Sequence, residues 1–64
     1  MKTKAYYLPN NDQTAATIRL IALCVPCFIT LNATSNNIHA VLEYTITARQ
    51  EDWAWIEYQI APIV

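Results

Sequence analysis

No glycine occurs in these 64 residues, and only 14% of positions carry a charge. Tight β-hairpins place glycine or asparagine where the backbone needs positive φ. The asparagines, Asn10, Asn11, Asn32, Asn36 and Asn37, supply two such places. The lack of glycine therefore argues against a multi-stranded meander and for few, long elements. The lack of charge excludes a second class. Four Lys or Arg against five Asp or Glu leave a net charge of −1, with no basic patch to neutralise a run of phosphates. Nucleic-acid binding is not expected.

Metal and catalytic residues are equally few. Two cysteines and one histidine fall short of the four ligands that zinc takes, unless carboxylates or a second copy complete the set. No metal and no other cofactor is expected. His39 is flanked at four residues by Ser35 and Glu43, so a helix would put all three on one face. That pattern is the ordinary solvated side of a helix, and no catalysis is expected from it. The chain is read as a non-enzyme.

What is present is apolar surface. Hydrophobic residues make up 55% of a chain with room for one domain, residues 1–64, in which 1–12 form an N-terminal extension. A monomer of this size has difficulty covering so much apolar area, which points to self-association or a protein partner.

The most apolar stretch is residues 20–31, LIALCVPCFITL, which has no charge and one proline, Pro26. The positions Ala15, Ile18, Ala22, Val25 and Ile29 recur at helical spacing, and Asp12 suits a helix N-cap. In a helix Pro26 would produce a kink; in a strand it would mark a turn or an edge. The helix is preferred. Residues 31–37, LNATSNN, read as a turn, with Asn32 ending one helix and Thr34 or Ser35 capping the next.

Residues 38–60 fit two periods. A helical stripe joins Ile38, Val41, Leu42, Thr45, Ile46, Trp53, Ile56 and Ile60. Alternation also fits residues 38–48 and 54–60, but would need a reversal at Arg49-Gln50-Glu51-Asp52, which are poor turn formers. The expected fold is thus all-α: an antiparallel αα-hairpin with helices at 13–31 and 35–60, self-associating, with a small antiparallel β-sheet as the alternative. Tyr44, Ala48 and Trp55 lie off the main stripe of the second helix and are the expected protein-interaction residues. Residues 30–41, TLNATSNNIHAV, are similar to the helix-turn-helix junctions of some bacterial helical modules, with Asn32 where those have glycine. The likeness implies no activity.

The functional expectation is a small non-catalytic interaction or oligomerisation module binding a protein partner or its own copies. Two alternatives stand beside it. Lys2, Lys4 and Arg19 ahead of the apolar stretch sketch a membrane-associated or exported peptide, although the uninterrupted run is short for a span. Cys24-Val25-Pro26-Cys27 has the spacing of a thiol-redox motif, although it sits inside an apolar run rather than a βαβ framework. Buried cysteines acting as small hydrophobes are the simpler reading. Trp53 and Trp55 would share a stacking face in a strand; in a helix Trp53 joins the core. A cytoplasmic location is the default expectation.

Overall fold

The structure, a computed structural model, describes residues 1–32 and 41–64. Strand β1 spans Lys2–Pro9, helix α1 Asp12–Cys24, β2 Cys27–Asn32, β3 Val41–Ala48 and helix α2 Trp53–Ile60. A single 3-10 turn, Gln50–Asp52, leads into α2, and a second, Ala61–Ile63, follows it. The sheet order is β1-β3-β2, with β3 antiparallel to both neighbours. β1 and β2 are therefore parallel, joined through α1, with β3 inserted between them: a split β-α-β unit with an added helix.

The all-α hairpin is overturned, and with it the helical-hairpin description; the alternative of a small sheet is right in part. Two local causes explain the correction. Asn11 caps α1 by accepting the Thr14 N–H at 2.9 Å, and Asp12 places its charge in the first turn. Helix α1 then stops at Cys24, because Val25 precedes a proline and takes an extended conformation (φ −132°, ψ 148°). Pro26 ends the helix rather than kinking it, and residues 27–32 become a strand.

The second cause is β-branching in β3, where Thr45-Ile46-Thr47 between Tyr44 and Ala48 suits a pleated surface better than a helix turn. Arg49 to Asp52 then redirects the chain. The Arg49 Nε donates to Asp52 at 2.8 Å, and the Asp52 N–H bonds back to the Arg49 carbonyl at 3.0 Å. The result is a strand-to-helix junction that needs no glycine. Within the described residues 41–60 the two periods are two signals in series, strand first and helix after.

Alternation sorts the sheet into two faces. Leu8, Leu42, Tyr44, Ile46, Ala48, Cys27 and Ile29 face the helices, in rows such as Lys4–Ile46–Ile29 and Tyr6–Tyr44–Leu31. The helices meet them with Ile18 and Ile21 of α1 and with Trp53, Ile56 and Ile60 of α2. Leu8, Ile21, Ile46, Ile56 and Ile60 are essentially inaccessible to solvent. Residues 1–12, expected to be an extension, carry β1 and the α1 cap, and Leu8 is a core residue.

The helical reading put Asn32 at a helix end; it is the last residue of β2. The expected caps Thr34 and Ser35 lie outside the described residues.

Candidate interaction surface

The two edges of the sheet are built differently. Along β1, Trp53 of α2 donates its indole N–H to the Lys2 carbonyl at 3.1 Å and stacks against Tyr6 at a centroid separation of 6.4 Å. Lys4 lies over the same indole, 5.1 Å from its centroid, and forms an ion pair with Glu57 of α2. This hydrogen bond raises the Lys4 pKa and lowers that of Glu57. Tyr6, partly buried here, is raised chiefly by desolvation, with Glu57 adding and Lys4 opposing. At the far end of β1, Pro9 has no N–H to offer another strand.

Along β2 there is no comparable cover among the described residues. The strand CFITLN has no charged residue, and none of its side chains is fully buried. Phe28 is 73% exposed and Leu31 50% exposed. Leu20 and Leu23 add further exposed apolar surface on α1, the helix that leads into this strand.

The face of the sheet turned away from the helices is polar in its middle. Glu43 of β3 accepts from the Tyr7 hydroxyl on one side and from the Asn32 amide on the other, each at 3.2 Å. The bond to Glu43 raises the Tyr7 pKa above the ordinary tyrosine value. Thr3 and Thr47 share a hydroxyl hydrogen bond at 2.8 Å on the same face. This row of short polar groups explains how a sheet face can lie open to water.

The residues expected from sequence fall elsewhere. Tyr44 and Ala48 sit in the core on the helix side of β3, and Trp55 is half-buried against that core. The three are not brought together on one exposed face, because strand alternation rather than helical rotation governs Tyr44 and Ala48. Trp53 is buried in a helix, so the two indoles form no stacking surface. Ser35 and His39 lie outside the described residues, and Glu43 is on the sheet.

Cys24 closes α1 and Cys27 opens β2. The motif thus sits at the C-terminal end of its helix, opposite the end where a C-x-x-C places its nucleophile. Burial raises the Cys27 pKa, and Asp52 adds to the effect. No group of three or more His, Cys, Asp or Glu gathers among the described residues, and no pocket forms there. The apolar stretch 20–31 is divided between α1 and β2, and no described helix is long and apolar enough to cross a membrane.

Phe28 and Leu31 were missed as surface residues because their apolar run suggested burial. The available signal was Pro26, after which Phe28 and Thr30 alternate with Ile29 and Leu31. In class, the chain is a two-layer α+β domain, with one sheet edge pinned and the other open among the described residues. Searches against protein-family models, curated proteins and solved structures give no match.

Proposed function

We propose that the chain is a non-catalytic protein-interaction module that binds through its β2 flank by strand addition. The observation that carries this reading is an uncharged edge strand with Phe28 exposed on its open face and Leu31 half-exposed on its helix side. A free strand edge presents backbone donors and acceptors in a row, and an extended segment laid beside it satisfies them.

Magnitudes indicate the chemistry of the partner. Full burial of Phe28 and Leu31 contributes about 1.5–3 kcal/mol each, whereas association costs on the order of 4–15 kcal/mol. These two side chains are therefore insufficient alone. The partner must be an extended segment that brings apolar residues of its own at alternate positions. A charged or helical ligand does not meet that requirement.

Selection of displayed random peptides on the purified chain tests the reading, with binders mapped by amide chemical shifts. Extended, alternating apolar sequences that perturb residues 27–32 are expected. Binders that map consistently to β1 or α2, or a selection that yields none, would overturn it.

A further inference from the structure

We infer that the strand seated on β2 is β2 of a second copy, paired antiparallel about a twofold axis; this rests on the strand-addition reading above. The chain itself contains the segment that its open edge requires. Residues 27–32 are extended, uncharged and alternately apolar, and their outer edge is unpaired among the described residues.

Symmetry narrows the register. Two antiparallel edge strands related by a twofold axis must have that axis perpendicular to the sheet. The helices of both copies then lie on one side, and only residues of the same face can stand opposite each other. Pairs must therefore sum to an even number. Centring on Thr30 places Thr30 opposite its own copy, Ile29 opposite Leu31 and Phe28 opposite Asn32. On the helix side this joins two aliphatic residues, and on the open side an aromatic residue meets an amide. Centring on Ile29 instead sets Asn32 against Pro26, which has no N–H to donate. The Thr30 register is the better one.

Charge favours this edge over the alternatives. Pairing through β2 brings no charged strand residues together, and the two β3 strands lie about three strand spacings apart, roughly 14 Å. Their Glu43 carboxylates are then separated by more than the Debye length of about 8 Å. Stacking the open faces would instead bring two Glu43 side chains across a gap of about 10 Å. Pairing through β1 would require the edge that carries Lys2, Lys4 and Pro9 and that holds the Trp53 bond. The result is one six-stranded sheet, β1-β3-β2-β2-β3-β1.

Light scattering on the eluting chain, from about 1 μM to about 1 mM, covers dissociation constants in that range. A mass rising from 7.3 kDa to twice that value is expected. Thr30→Lys sets like charges opposite each other on the axis; it should hold the mass at 7.3 kDa with an unchanged circular dichroism spectrum. Thr3→Lys, on the exposed outer face of β1, should still dimerise. A wild-type chain monomeric throughout would overturn self-pairing, and would leave strand addition standing if displayed peptides still mapped to β2. A dimer that survived Thr30→Lys and dissociated with Thr3→Lys would overturn both the register and the choice of edge.

Discussion

β1 and β2 flank the same central strand and run in the same direction, yet among the described residues one is fastened by side chains of α2 and the other has no comparable tie. β1 is tied to α2 by the Trp53–Lys2 hydrogen bond, the Tyr6 stack and the Lys4–Glu57 pair. β2 has α1 packed on its inner side and keeps Phe28 and Leu31 in solvent. The difference follows from placement. The short turn at Gln50–Asp52 delivers the first residue of α2, a tryptophan, onto β1. The contacts that hold the sheet to the helices are thus concentrated on one flank, and the exposed apolar residues of its strands on the other.

The largest effect should come from removing the fastening. Trp53→Ala deletes a side chain that is 2% exposed and should cost about 3–5 kcal/mol, comparable with all the core of so small a domain supplies. Loss of a cooperative urea transition is expected. On the opposite flank, Ile29→Ala should cost about 1–2 kcal/mol, because a half-buried side chain contributes part of the full term. Equal costs at the two sites would remove the asymmetry.

Between the flanks, Asn11→Ala should lower stability by about 1 kcal/mol by leaving the Thr14 N–H without its cap; chemical denaturation would read it. A smaller effect is expected from acid. Because Glu57 has a depressed pKa in the fold, its contribution is present above its unfolded value and is lost as pH falls through the lower folded one. The raised Lys4 pKa means that partner's share is complete below its unfolded value and disappears as pH rises through the folded one. Glu57→Gln should flatten the acid limb of a stability–pH profile. Least disruptive of all, Glu43→Gln should move the Tyr7 phenol back toward its ordinary pKa, read as phenolate absorbance.

Much of this could be read from the residues, but the elements were joined incorrectly. A helix starting near Asp12 and the strand-like alternation of Leu42, Tyr44, Ile46 and Ala48 are legible; Ile21, the α1 residue that is fully buried, is not, because the stripe read from the sequence runs through Ile18 and Ala22 instead. Pro26 was decisive, because its effect on Val25 turns one apolar run into a helix and a strand. The absence of glycine excludes less than a whole sheet. It disfavours tight hairpins, but a sheet assembled through a crossover helix and a strand-to-helix junction needs few of them. Tyr44 and Ala48 changed from surface to core when the period changed from 3.6 to 2. Exposure of Phe28 could not be inferred from composition, since it depends on which face of the sheet the helices cover, and that is a property of the whole fold.

Amide hydrogen exchange measured at low and high chain concentration tests the contrast between the two edges most directly. Exchange in β2 should slow as concentration rises, while exchange in β1 stays constant. Concentration-dependent protection in β1, with β2 unchanged, would contradict the assignment of the open edge and the association built on it.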